Sequence, residues 1–544
     1  MSPRPRFTSR IDVVRNAVLG VLLRPFRWLS PGLQFTIGFS ALVLLTTLAI
    51  SRWPYDHRTA GMLGIVATVH FGLWRFVRYR AAAVDLLISP ERAFALVGSA
   101  IFFQTAVIRS GFLVANAIAS QSTRAPFNDA DAWAFTIPFA AAALLITMLL
   151  DRQLSFITGL ITAVVAGVLA PREFPAMLYT LVSCAAAVYG IKRYRERQSV
   201  TIGGLAVAAT NVVAAIAITV FTHPRPSFFG ILVSGLFGFG GGLLTIVFAA
   251  GGVPINESVF GVLTDIRLLE LTNADLPVLS QLALRAPGTN QHSHAVGQLA
   301  EDGCRAIGAN AMLGRVGALY HDIGKVAAPD HFVENQSGNN PHDHLKPLQS
   351  AKIITSHVTY GLKLAKEIGL PKRVADFIPQ HHGTRTLHFF LRKAEAEANG
   401  AKINEADFRY PGPKPQFKEA AIMMLVDSAE AAARSLAQPN PENIRAIVSK
   451  IFDAVVNDGQ LDESHLSLHD LRLLREAIIN SLLAIYHPRI DYPGFNVPSQ
   501  SDHDTPRGRA ATYASAADVP INEAGEVEDE AVSRPSELVR DPEA

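Results

Sequence analysis

The segment ALYHDIGKVAAPD, residues 318–330, sets a histidine beside an aspartate, His321 and Asp322, where a helical pattern stops. Gly324 suits the turn that ends such a helix, and Lys325 follows it. More side chains of metal-ligand type recur along this half of the chain. His292 lies in PGTNQHSHAV just ahead of a helical run, and His357 shares an apolar stripe with Ile354, Gly361 and Leu364. His381 and His382 follow Phe377 and Ile378, and Asp427 sits in MMLVDSAEAAA among apolar residues. Imidazoles and carboxylates without thiolates suit iron(II), manganese or zinc in a reactive site better than a structural zinc. Seven candidate ligands exceed the needs of one ion. Two divalent ions bridged by a hydroxide and a shared carboxylate, best supplied by Asp322, would acidify the bridging water and clamp phosphoryl oxygens during in-line attack. Lys325 could then hold a phosphate or neutralise developing charge.

Each residue taken singly has a plainer role. A lone histidine on an apolar face is usually a satisfied core histidine, and a helix aspartate usually an ion-pair partner. Seventeen histidines also make some clustering a matter of chance. Four successive helices each turning such a group inward are harder to dismiss. Burying them without a shared partner would cost on the order of several kcal/mol, and a metal pair accounts for all of them.

The elements that must position these groups read as helices. Leu313, Val316, Leu319, Tyr320 and Ile323 form one apolar stripe, and Ile354, His357, Val358, Gly361, Leu364, Ala365 and Ile368 form another. A third helix is expected from Pro371 and a fourth from Lys418 past Asp427. Residues 286–496 therefore predict an all-α domain of roughly 200 residues. Residues 497–544, rich in Asp, Glu, Ala, Ser and Pro, predict a disordered acidic tail. The two cysteines, Cys184 and Cys304, exclude a disulfide scaffold or a cysteine zinc site. A net charge of +2 gives no argument for a nucleic-acid polymer as partner.

The first half reads differently. At 49% hydrophobic residues and a mean hydropathy of +0.22 the chain is too apolar for an ordinary soluble protein of 544 residues. The excess lies in residues 31–250, where eight spans are expected, at 33–50, 61–78, 93–118, 132–150, 154–170, 174–191, 200–220 and 227–250. Residues 1–30 form a basic leader too long for a simple secretory signal, so the first span reads as an uncleaved anchor. Basic residues fall mostly on one side. The leader, Arg75, Arg78, Arg80, Arg92, Arg152 and the 192–197 cluster give fifteen, against Arg52, Arg58, Arg124, Arg172 and Arg225 opposite. That bias puts the N-terminus and the residues after Gly251 in the cytoplasm.

Within the spans, GLFGFGGG at 235–242 reads as close helix packing rather than a phosphate loop. Arg109 reads as a residue near the outer surface that snorkels to water. Residues 251–285 read as a linker that leaves the membrane as a helix and breaks near Asn273 and Pro277. The spans show little of the polar midplane groups or broken repeats that a transporter would need.

The stretches ESVFGVLTDIRLLEL, LRAPGTNQHSHAV, LYHDIGK, NPHDHL, SAKIITSHVTYG, QHHGT and RYPGPKPQFKEAAIMMLVDSAEAA together resemble the HD hydrolase domain of the seven-transmembrane receptor family with an intracellular HD domain. The resemblance covers about 175 residues. It implies a bacterial multi-pass inner-membrane phosphodiesterase that converts the second messenger cyclic di-AMP to pApA by attack of a di-metal-activated hydroxide, in signal transduction. It implies two divalent ions, iron or manganese. It further implies His292, His321 and Asp427 at one ion, His357, His381 and His382 at the other, and Asp322 shared. Lys325, Arg385, Tyr410 and Lys414 would be substrate contacts. The cyclic dinucleotide and the lipid bilayer are the expected partners, and homo-oligomer formation is left open. Only about ten residues, 51–60, stand where family members carry a large extracellular sensor domain, so any sensing would use the membrane bundle, the short loops, the cytoplasmic ends or a partner. Two alternatives remain: a cyclic di-GMP phosphodiesterase, against which the absence of a GYP tripeptide tells, and a nucleotide-binding membrane receptor without turnover.

Overall fold

The computed structural model describes residues 29–84, 86–191, 198–398 and 402–486. The basic leader, the 192–197 cluster and the 497–544 tail lie outside the described residues, apart from positions 29 and 30.

The first half is a bundle of antiparallel apolar helices. They are α1 (Pro31–Ile50), α2 (His57–Ala83), α3 (Pro90–Ser120), α4 (Ala130–Ala134), α5 (Ala141–Leu149), α6 (Arg152–Leu169), α7 (Glu173–Tyr189), α8 (Ser199–Thr222) and α9 (Phe228–Phe260). Local chemistry starts them: Ser30, Asp56, Ser89, Asp151 and Ser227 each accept from a backbone N–H of the first turn, and Pro31 and Pro90 open α1 and α3. Six of them, α1, α2, α3, α6, α8 and α9, are long and apolar enough to cross a membrane, and the 17-residue α7 is apolar but shorter. The protein is a membrane protein.

The span expected at 132–150 is not one helix. It is broken between α4 and α5, with Pro138 inside the break. Proline cannot donate to the helical ladder and disfavours helical geometry before it. Non-helical backbone at membrane depth survives only where protein satisfies it. Here buried Gln104 on α3 donates to the Pro138 carbonyl at 3.0 Å and accepts from the Ala142 N–H at 2.9 Å. The Tyr179 hydroxyl donates to the Phe135 carbonyl at 3.1 Å. The expectation that the spans contain little of this kind is therefore corrected at this segment.

Arg109 does not reach for water. Its guanidinium donates to the carbonyls of Leu48, Ala49 and Ser51, the unsatisfied C-terminal end of α1. The glycines of α9 permit close packing on α8: a Cβ on Gly242 would lie 2.2 Å from the Ala208 Cα. The helix α9 runs on to Phe260 and stops at Gly261, whose φ of +69° is a left-handed cap. The break thus comes earlier than Asn273, because glycine takes that conformation without strain.

The second half is helical, with no strand among the described residues. Its helices are α10 (Asp265–Glu270), α11 (Pro277–Arg285), α12 (Pro287–Ala306), α13 (Ala311–Tyr320), α14 (Pro347–Ile368), α15 (Lys372–Ala375), α16 (Phe377–Gln380), α17 (His388–Glu397), α18 (Lys418–Arg434), α19 (Pro441–Asn457) and α20 (Leu468–Ile485). The single helix expected from Pro371 is two short ones, α15 and α16. One core holds Leu299, Val316, Tyr320, Phe377, Ile422 and Leu425. The segment expected as a linker joins it, since Leu263, Leu268, Leu271 and Leu282 are buried in that core and the Tyr320 hydroxyl donates to the Leu271 carbonyl at 2.8 Å.

Replacing Gln104 with leucine strands two buried backbone groups of the broken segment, at about 1–3 kcal/mol each. Thermal unfolding of the detergent-solubilised chain should therefore show a lowered midpoint, and an unchanged midpoint would contradict this account of the break.

Candidate metal centre

Asp322 is the hub. It follows α13, whose last turn carries the apolar stripe into the core and leaves His321 at the C-cap. The chain then tightens into a 3-10 turn, Ile323–Ala327, that lies against α14. Gly324 makes that approach possible, since a Cβ there would sit 1.9 Å from the His357 carbonyl oxygen. His321 and Asp322 on one side and His357 on the other are thereby held face to face.

The seven residues singled out from the sequence come together in the structure. His321 Nε2 lies 3.1 Å from Asp322 Oδ2, His357 Nε2 3.4 Å from Asp322 Oδ1, and His381 Nε2 3.6 Å from the same oxygen. Asp427 Oδ1 lies 2.9 Å from His292 Nε2 and 3.6 Å from His321 Nε2. His382 packs on His381 with ring centroids 3.9 Å apart and is stacked from outside by Tyr410 at 4.2 Å. Ligand atoms of His357, His381 and His382 form one group, and those of His292, His321 and Asp322 another, each within 4.8 Å. His292 lies inside α12 rather than ahead of it, because Pro287 takes the first helical position.

Three of the imidazoles have a fixed orientation. His321, His357 and His381 each donate Nδ1–H to a carbonyl one turn back, at Ala318 (2.7 Å), Ile354 (2.6 Å) and Phe377 (3.1 Å). That leaves Nε2 of each directed at Asp322. These three Nε2 atoms and Asp322 Oδ1 are buried and have no hydrogen-bond partner among the described residues. Orphaned buried polar atoms are rare and costly. Imidazole nitrogens presented this way, around a carboxylate and with their far nitrogens anchored, fit a divalent cation pair.

The charges are ordered accordingly. Burial opposes ionisation of Asp322, but His321, Lys325 and His357 hold its carboxyl well below the usual range. Burial likewise opposes protonation of His321, yet Asp322 and Asp427 outweigh it and raise its pKa to about 10. His381 goes the other way, lowered to about 3 by burial and then by His321 beside it. Burial also lowers His357 and His382. His357, His381 and His382 are thus held neutral, the form in which an imidazole ligates a metal, whereas the proton that Asp322 and Asp427 hold on His321 is one that metal binding would release.

Sequence reasoning missed two acids. Glu430 accepts from His292 Nδ1 at 2.5 Å and is itself bonded by Arg434. It stands three residues after Asp427 on one helix face, a spacing that could have found it. Glu334 lies in a 3-10 turn with no periodicity to mark it, and pairs with Lys325 Nζ at 2.7 Å. Lys325 also pairs with Asp322 Oδ2 at 2.7 Å, so its ammonium is held between two carboxylates.

The other expected substrate contacts are arranged differently. Lys414 Nζ donates to the Gly459 carbonyl at 2.8 Å, a tie to the loop after α19. Tyr410 is buried beside His382, placed there by the Tyr410 N–H donating to the Arg385 carbonyl at 3.0 Å. The half-buried Arg385 guanidinium donates one N–H to Ser428 Oγ at 2.8 Å, next to Asp427, and makes no other hydrogen bond among the described residues.

Residues 59–264 match the family described as 7TM receptor with intracellular HD hydrolase, and residues 289–432 match the HD domain. The membrane half and the soluble half of the chain are thus similar to the two parts of that architecture. A relative in Bacillus subtilis, the cyclic-di-AMP phosphodiesterase PgpH, is 38% identical over 366 residues, which is 66% of this chain and 51% of that protein. The protein of the same name in Listeria monocytogenes is 37% identical over 363 residues, 66% of this chain and 50% of that one. The chain thus spans about half the length of these curated relatives. A crystal structure of the L. monocytogenes PgpH HD domain in complex with cyclic-di-AMP is 44% identical, covering 40% of this chain and all of that one, with a TM-score of 0.38. HD domains bind divalent metals, and the two groups around Asp322 are the candidate metal-binding groups of this chain.

Because the Gly324 backbone touches that of His357, Gly324→Ala should destabilise the HD domain by about 1–3 kcal/mol. Chemical denaturation followed by tryptophan-independent circular dichroism would check this, and a wild-type midpoint would contradict the close approach.

Proposed function

We propose that this chain is a membrane-anchored, metal-dependent phosphodiesterase that hydrolyses cyclic di-AMP to pApA. The observation that carries the reading is the convergence of three anchored, unpartnered imidazole nitrogens on one buried carboxylate. His292, His321 and Asp427 would hold one ion, His357, His381 and His382 the other, and Asp322 both. The donor set favours iron or manganese. All seven groups come from one chain, so the reading needs no second subunit. Adenine over guanine rests on the names of the two bacterial relatives and on the absence of a GYP tripeptide. The excess of basic residues on one side of the bundle supports a cytoplasmic HD domain.

When bound, a divalent pair would acidify a water held between the ions and neutralise charge on the phosphoryl oxygens. The chain's own residues do the rest. Lys325, held by Glu334, keeps Asp322 ionised and fixed in direction, and this replaces the phosphate contact expected for it. Arg385 has guanidinium N–H groups to spare beside Asp427 and is the side chain best placed to grip a phosphate. Tyr410, stacked on His382, holds that ring in place and covers it.

The test is turnover by the full chain in detergent, loaded with manganese or iron(II), with cyclic di-AMP and cyclic di-GMP followed side by side by chromatography. The reading predicts metal-dependent conversion of cyclic di-AMP to pApA that Asp322→Ala abolishes. A preference for cyclic di-GMP would refute the substrate, and no turnover of either by a folded, metal-loaded chain would refute the enzyme. Glu430→Gln removes the carboxylate behind His292 while keeping its shape, and should weaken metal affinity about 10–100-fold. Metal titration against a competing chelator would read this out, and unaltered affinity would contradict the role given to Glu430.

A further inference from the structure

A cavity of about 390 Å³ opens in the membrane bundle on the face away from the HD domain. Its position follows from the topology: it is lined by the α3–α4, α6–α7 and α8–α9 connections, all on the end opposite to the one where α9 continues into the HD domain. The volume is in the range of about 300–1,000 Å³ typical of small-molecule sites. Its floor is apolar and well packed, with Phe112, Phe135, Phe139, Tyr179 and Ile218 all buried. Phe135 and Phe139 lie within the non-helical break between α4 and α5, so the break shapes the cavity floor.

The rim is charged and built from several elements. Arg172, between α6 and α7, pairs through Nε with Asp131 Oδ2 on α4 at 2.8 Å. His223, at the end of α8, lies 3.2 Å from Asp129 Oδ2, the N-cap of α4. Both carboxylates thus have partners. The cations do not use all their donors: the terminal nitrogens of Arg172 have no partner among the described residues, and neither has the exposed Arg225. Two guanidinium groups with free N–H edges at the mouth of an apolar pocket match one kind of ligand.

We propose that this cavity binds a small amphiphile, an anionic head held by Arg172 and Arg225 above an apolar body seated on the Phe135–Phe139 floor. Guanidinium groups bind carboxylate and phosphate oxygens in pairs, and the aromatic floor takes a flat ring or a short aliphatic chain. The same chemistry could arrive as a free carboxylate from the aqueous side or as an anionic lipid from the bilayer. The site is independent of the metal centre, and its test reads binding directly.

The full chain in phosphatidylcholine nanodiscs would be titrated with radiolabelled indole-3-acetate, 3-phenylpropionate and octanoate, with indole-3-acetamide as the uncharged control. A parallel arm would measure phosphatidylglycerol retention by native mass spectrometry from mixed-lipid discs. Arg225→Gln, at an exposed rim position, and Arg172→Gln would be compared, each checked for cooperative thermal unfolding at the wild-type midpoint. Binding of a carboxylate that falls about tenfold or more in Arg225→Gln, with the amide weak, supports the site and an aqueous source. Retention of phosphatidylglycerol alone, lost in Arg225→Gln, supports the site and a lipid source. Equal binding of the amide, wild-type binding by both variants, or no binding of any probe by the folded chain would overturn the proposal.

Discussion

The structure turns on an ionised carboxylate kept almost dry. Asp322 is nearly fully buried, and a buried charge is tolerated only when paired and hydrogen-bonded. Around it the chain spends its most constrained features. Gly324 lets two backbones touch, three carbonyls orient three imidazoles, and Lys325 and Glu334 close a charged chain behind it. Moving any of these leaves a group of like polarity unpaired in the interior. The helices of the HD domain are arranged to meet at this carboxylate, and their apolar stripes form the core that holds them there.

The membrane half obeys a different constraint, the satisfaction of backbone groups where no water can reach them. Most of it does so by being helical. The break between α4 and α5 does so through Gln104 and Tyr179, and the end of α1 does so through Arg109. Polar side chains inside this bundle therefore serve the backbone first. The membrane helix α9 ends at Phe260, and the residues that follow it, from Leu263, are part of the HD core rather than a free tether.

The site was largely legible in the sequence because its residues combine ligand-type chemistry with helical register. His357 could be placed on an inward face by Ile354, Gly361 and Leu364, and His321 by the stripe that ends at Tyr320. Glu430 was equally findable from its spacing to Asp427, whereas Glu334 lies in a turn that no periodicity marks. The membrane spans were legible as hydropathy, but hydropathy reports side chains and not backbone. The segment 132–150 is apolar throughout its core and still broken, and only Pro138 signalled it. Gly261 and Pro287 were similar signals, fixing where α9 stops and where α12 starts. The substrate contacts were the least legible, because Lys325 and Lys414 carry charges whose partners come from distant turns.

The central claim is that the groups converging on Asp322 hold a pair of metal ions. Metal content per chain, measured by plasma mass spectrometry on the full protein purified without added chelator, tests it most directly. The account predicts two divalent ions per chain, iron or manganese, and their loss in a folded Asp322→Ala variant. A wild-type chain that binds no divalent ion, or a variant that keeps the full complement, would contradict it.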